Sequence, residues 1–307
     1  MINSGQSVDQ AEKLRRIVRG LRERSEAIID RASKKSGKNA RLIAVTSGKG
    51  GVGKTSLIVN IAIRLSKKGY RVVIIDGDLG LANVEVMLGI VPKFSMYDII
   101  NSGISLSDVI SDGPAGIKLI SGGTGITEMA YLDRRKFDRL LDTLSALDNY
   151  ADFILIDTGA GISRNVTKFV LAAREVILVT SPEPTSITDA YAVLKIISLH
   201  NRECQVKMIA NMVENPAEAE DILVRINAAA KKFIGTEIKS LGFLKNDPSL
   251  RRAIKMQTPL IISAPKSAAA KSIDKITQRI ENNTEYVREW NGVRDFLSRI
   301  YLTMNSS

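Results

Sequence analysis

The sequence predicts a doubly wound α/β fold, a mostly parallel sheet flanked by helices, with an N-terminal helical extension and a C-terminal amphipathic helix. Three observations carry this expectation. Short β-branched apolar runs alternate with helical patterns from residue 42 to about 265, as successive strand–helix–strand units require. The glycine-rich stretch Ser47-Gly48-Lys49-Gly50-Gly51-Val52-Gly53-Lys54-Thr55-Ser56 joins one such strand to a helix. Two further strands end in acids, at the sheet edge where such folds bind ligands. The chain divides accordingly into residues 1–40, 41–283 and 284–307.

Leu42-Ile43-Ala44-Val45-Thr46 is a buried first strand, and Leu57, Ile58, Ile61, Ala62 and Leu65 recur at helical spacing after the loop. Between them, Gly48 to Thr55 match the phosphate-loop pattern G-x-x-x-x-G-K-[ST]. Gly48, Gly50, Gly51 and Gly53 let the backbone approach an anion closely. The N–H groups from Gly48 through Val52 to Ser56 then face phosphates at a helix N-terminus. Lys54 supplies a point charge, and the Thr55 hydroxyl is placed for Mg²⁺. Lys49 is a second lysine that loop geometry leaves unexplained.

Arg71 to Asp76 forms the second strand and opens onto Asp76-Gly77-Asp78. Turn chemistry accounts for Asp76-Gly77 but gives Asp78 no task. Ile117 to Gly123 is a strand and loop, and Arg134 to Leu147 a helix packed on the sheet. Phe153-Ile154-Leu155-Ile156-Asp157 delivers one carboxylate from an apolar strand, with Thr158-Gly159-Ala160-Gly161 continuing it. Glu175 to Thr180 is a strand before a helix reaching about Leu199, with Thr185 as its candidate cap. Val206 to Asn211 is the next strand, and Asn211 is also a plausible turn former. Ile273, Ile276 and Ile280 make a helix seam. The last helix, from about Thr284 to Met304, gathers Trp290, Val293, Phe296, Leu297, Ile300 and Tyr301 on one side. That side suits a membrane interface or a groove on the protein's own domain.

Composition narrows the classes. One cysteine, Cys204, and one histidine, His200, exclude a disulfide framework and a histidine-rich zinc site. No run is apolar over the ~18 residues of a spanning helix, and no signal peptide opens the chain, so a cytoplasmic location is expected. The net charge of +11 sits at the ends: residues 1–41 carry eleven Lys/Arg against five Asp/Glu, and residues 231–307 fourteen against seven. Basic ends on a near-neutral core point to an acidic surface or partner.

Lys49-Gly50-Gly51-Val52-Gly53-Lys54-Thr55 resembles the deviant Walker A loop of the MinD/ParA class of dimerising ATPases, and the likeness covers about residues 41–265. The resemblance implies ATP/ADP and Mg²⁺ as ligands, with Lys49 reaching the nucleotide of a second copy in an ATP-bound homodimer. It implies that Asp78 orients the attacking water, that Asp76 and Asp157 join Thr55 around Mg²⁺, and that Asn211 reads the base. The stretch from Phe243 to Pro248, with Lys245 and Asp247, aligns with the loop across the base. Lys245 stands where the family often has proline, which confines contacts expected there to the backbone.

Asp9-Gln10-Ala11-Glu12-Lys13-Leu14-Arg15 is similar to the element ahead of the ATPase domain in the FlhG (FleN, YlxH) family, which controls flagellar number and placement. This implies an FlhF-type GTPase bound and stimulated through Asp9, Gln10, Ala11, Leu14 and Arg15. It also implies contact with the inner face of the cytoplasmic membrane through Trp290, Phe296, Leu297, Ile300 and Tyr301. A flagellar transcription regulator or basal-body switch protein is a further implied partner, and specific nucleic acid is not. A ParA-type DNA-positioning ATPase is the alternative, against which the aromatic-bearing last helix weighs. A non-hydrolysing interaction module is the second. An iron–sulfur carrier of the same superfamily would need paired cysteines.

Overall fold

The computed structural model describes residues 39–78, 83–123, 132–282 and 292–305. Asp9, Gln10, Ala11, Leu14, Arg15 and Trp290 lie outside the described residues. In chain order, β1 (Arg41–Ser47) leads into α1 (Lys54–Lys67) and β2 (Val72–Gly77). Short helices α2 (Asn83–Leu88), α3 (Met96–Ser102) and α4 (Leu106–Val109) precede β3 (Ser111–Asp112) and β4 (Lys118–Ser121). Then come α5 (Arg134–Ser145), α6 (Leu147–Tyr150), β5 (Phe153–Ala160), α7 (Arg164–Ala172), β6 (Glu175–Thr180) and α8 (Pro184–His200). β7 (Gln205–Val213), α9 (Pro216–Ile234), β8 (Lys239–Lys245), α10 (Pro248–Lys255), α11 (Leu260–Ser263), α12 (Ala268–Asn282) and α13 (Gly292–Asn305) follow.

Among the described residues these strands form one sheet in the order β3-β4-β2-β5-β1-β6-β7-β8. The pairs are parallel except β3 with β4, a two-residue antiparallel edge that the sequence did not reveal. Both faces of the sheet are covered, so the central strands β1, β2, β5 and β6 are near-continuous apolar runs rather than alternating with polar residues. Leu42 and Ala44 of β1 turn toward Phe137, Leu144 and Phe169 of α5 and α7. Ile43 and Val45 turn the other way, into a second core with Leu57, Ile61 and Leu65 of α1 and Ile273, Ile276 and Ile280 of α12. The order reverses at β1, with β2 and β6 on opposite sides of it, and a ligand crevice is expected at the carboxyl ends there.

The last helix is docked on the protein's own domain, one of the two places its apolar side suits. Phe296, Leu297 and Ile300, whose face the sequence suits to lipid or to a groove on the protein's own domain, are buried in the core beneath α5 and α7. Tyr301 stacks on Phe137 with ring centroids 4.1 Å apart. Residues 292–305 therefore pack as part of the body. The reason is the area such side chains bury, worth about 1.5–3 kcal/mol for each large one. Polar contacts fix the helix further. Asp148 accepts from the Val293 N–H at 2.9 Å and from the Ala40 N–H at 3.4 Å. Buried Asp295 pairs with Arg174 at 3.3 Å and Arg299 at 2.8 Å. No described helix is long and apolar enough to cross a membrane.

Candidate active site

The glycine loop crosses the carboxyl end of β1 and delivers α1. A Cβ on Gly48 would lie 2.2 Å from the Asp189 carbonyl carbon, so the backbone of α8 packs directly on the loop. Gly53 has φ +84° and would put a Cβ 2.4 Å from Asn211 Nδ2. Gly53 caps α1 without any side-chain hydrogen bond, leaving the first N–H groups of the helix open to an anion.

Beneath the loop, Lys54 is 7% exposed and its Nζ ion-pairs with Oδ1 of fully buried Asp157. Burial raises the Asp157 carboxyl above its ordinary value, while the charge and hydrogen bond of Lys54 and the Thr55 hydroxyl oppose the rise. Asp157 Oδ2 and the Ser56 hydroxyl are buried without a hydrogen-bond partner, as is the Thr46 hydroxyl at the end of β1. A buried polar atom left unpaired costs about 1–3 kcal/mol. Such a debt beside a phosphate loop is what a bound metal–phosphate group would settle. Asp76 is strand-paired with Asp157, so two carboxylates face one point. One or two carboxylates plus substrate phosphates is the donor set Mg²⁺ takes, and the residues present fit it.

Asp76 is itself 3% exposed. Its Oδ1 accepts from the Asp78 N–H at 3.1 Å and its Oδ2 from the Val84 N–H at 3.3 Å. Burial, aided by the neighbouring Asp157 charge, pushes its carboxyl up to about 7 against those hydrogen bonds. The sign follows from linkage. Between the ordinary value and about 7 the native state holds a proton the unfolded chain has lost, so this group's contribution falls as pH rises through that window. Relative to wild type, the melting temperature of metal- and nucleotide-free Asp76→Asn should therefore climb between about pH 4 and pH 7 and level off above it. A difference that stays constant with pH would contradict the assignment.

Asp78 stands opposite the strand-end glycines, 3.5 Å from where a Gly159 Cβ would sit, and accepts from Asn83 Nδ2 at 3.3 Å. The structure thus brings Lys54, Asp76, Asp78 and Asp157 together. Lys49 lies apart. It is half-exposed, with Nζ 2.5 Å from Glu183 Oε2 and 3.2 Å from Thr185 Oγ1. Thr185 therefore partners Lys49 and does not cap α8, whose cap residue is Glu183 without a side-chain bond. Glu183, the partner of Lys49, is a residue the sequence left unremarked; its only signal was an acid three residues past the end of β6, between two prolines.

Two expected base contacts are engaged elsewhere. Asn211 is 1% exposed, donates from Nδ2 to the Val52 carbonyl at 2.7 Å and accepts from the Met212 N–H at 2.9 Å. It ties β7 to the glycine loop. Asp247 accepts from the Ser249 N–H at 2.8 Å and the Ala269 N–H at 3.1 Å, joining α10 to α12. Burial works to raise its carboxyl, but those hydrogen bonds hold it below the ordinary value. Lys245 ends β8 with its side chain exposed.

Residues 38–281 match the ParA family, described as NUBPL iron-transfer P-loop NTPases. The antiactivator FleN of Pseudomonas aeruginosa is 36% identical over 79% of this chain and 86% of its own length. The flagellum site-determining protein YlxH of Helicobacter pylori is 36% identical over 80% of this chain and 84% of its own. Among solved structures, the septum site-determining protein MinD of Pyrococcus horikoshii with Mg-ADP superposes with a TM-score of 0.65 at 25% identity. That superposition covers 82% of this chain and all of the other.

Proposed function

This chain belongs to the MinD/ParA family of P-loop ATPases, in its FlhG-type branch, and from that premise we propose that it is an ATP-gated dimerising switch acting on flagellar number and placement. It hydrolyses ATP, as its family does. The observation that supports the site assignment most is the buried Lys54–Asp157 pair, flanked by unpartnered Asp157 Oδ2 and Ser56 Oγ.

In this reading the loop N–H groups and Lys54 hold the phosphates. With nucleotide bound, Lys54 would pair with phosphate oxygens in place of Asp157, and Asp157, Asp76 and Thr55 would hold the metal. Held there, Mg²⁺ would neutralise charge on the transferred phosphoryl group. Asp78 orients the water that attacks the γ-phosphorus as the bond to ADP breaks. Lys49 leaves Glu183, an exposed pair worth about 0–1 kcal/mol, and reaches the phosphates held by a second copy. Asn211 and the backbone around Lys245 and Asp247 border the base.

The N-terminal element would recruit and stimulate an FlhF-type GTPase, and release of α13 in the ATP-bound dimer would give contact with the inner membrane face. A flagellar regulator or basal-body protein would read out the dimer. The single cysteine disfavours the iron-transfer chemistry in the family's description. The test is sedimentation velocity with Mg-ATP alongside phosphate release. Lys49→Ala and Asp78→Ala should each lower turnover about 100-fold, and Lys49→Ala should also lose the ATP-induced dimer. Wild-type values for both variants would reject the mechanism. In the same preparations, capture of the GTPase should vanish in Gln10→Ala.

A further inference from the structure

We propose that the outward face of α10 and α11 is a contact for an anionic lipid surface, available while α13 stays docked. This deepens the membrane reading above and rests on it. Residues 248–271 carry Arg251, Arg252, Lys255, Lys266 and Lys271 and no acid. All five cations are exposed. None enters an ion pair with another described residue; Arg251 only donates to Asn246 Oδ1 at 3.1 Å. Between them Ile254, Met256 and Ile262 stand 44%, 62% and 39% exposed.

These apolar tips are not spill-over from the core. Leu250, Ala253, Leu260 and Ile261 turn inward and fill it, so each short helix has a satisfied inner face and a separate outer one. The outer face combines cations with apolar ends, the chemistry of an interface where charges meet headgroups and hydrocarbon sinks just beneath. A duplex-binding face has use for the cations but none for Ile254, Met256 and Ile262. The patch also lies on the core layer of α1 and α12, whereas α13 packs on the opposite layer. Its exposure is therefore independent of whether α13 is bound or released.

The experiment is co-sedimentation of the full chain with phosphatidylglycerol-containing or pure phosphatidylcholine vesicles, nucleotide-free and with Mg-ATP, at low and high salt. Wild type should bind the anionic vesicles without nucleotide and release at high salt. The charge variant R251E/R252E/K255E and the apolar variant I254S/M256S should each reduce that binding about fivefold, with ATP turnover and melting temperature unchanged. Binding by wild type that both variants retain in both nucleotide states would reject the patch while leaving the membrane reading standing. Failure of wild type to bind in either state would reject both. Sensitivity to the charge variant alone, with full competition by duplex DNA, would make this a polyanion site and overturn the lipid assignment.

Discussion

Lys54→Ala is expected to abolish useful Mg-ATP binding, weakening it about a thousandfold, or ~4 kcal/mol. The side chain is buried and its charge would meet phosphate in a site with little water, where such contacts are strongest. The same change should destabilise the free protein. Asp157 has no exposure and would lose the cation that opposes its burial, a loss of about 3–5 kcal/mol for a broken buried pair. The variant's carboxyl should then sit higher still. The penalty should be full at pH 8 and shrink as pH falls through that raised value, because protonation removes the buried charge. Urea unfolding at pH 5 and pH 8 reads this directly. The double variant K54A/D157N should recover stability at pH 8 without recovering nucleotide affinity. If calorimetry gave K54A wild-type affinity, the phosphates would lie elsewhere.

The second large effect concerns α13. Phe296→Ala removes a buried ring that packs near Phe169, a truncation that ordinarily costs about 3–5 kcal/mol. Here the loss is capped by the free energy of docking the helix, since beyond that point local release is cheaper than global unfolding. Hydrogen exchange over residues 292–305 should accelerate at least tenfold, while β1, β5 and β6 keep their protection. Vesicle binding should lose its dependence on ATP. Unchanged exchange in that helix would mean it is not a releasable element.

The chemistry of the site was largely readable from the chain because its residues are close to one another or to strand ends. Gly48 to Thr55 and the run into Asp157 announce themselves by spacing alone. What escaped reading depends on contacts between distant segments. The meeting of Gly48 with the Asp189 backbone, the hold of Glu183 on Lys49, and the anchorage of Asn211 to Val52 leave no local pattern. An amphipathic seam likewise looks the same whether lipid or protein covers it, so Phe296 and Ile300 could be assigned a face but not an occupant. The buried Arg41–Glu175–Lys207 cluster, which cross-links the starts of β1, β6 and β7, was equally silent.

Asp148 has one more implication. Its carboxylate is a single peg on which two stretches of backbone hang, the entry to the first strand at Ala40 and the opening turn of the final helix at Val293. Anything that tugs on the leading segment pulls on the same carboxylate that seats the trailing one. By reciprocity, loosening either would slacken the other to the same degree in free energy.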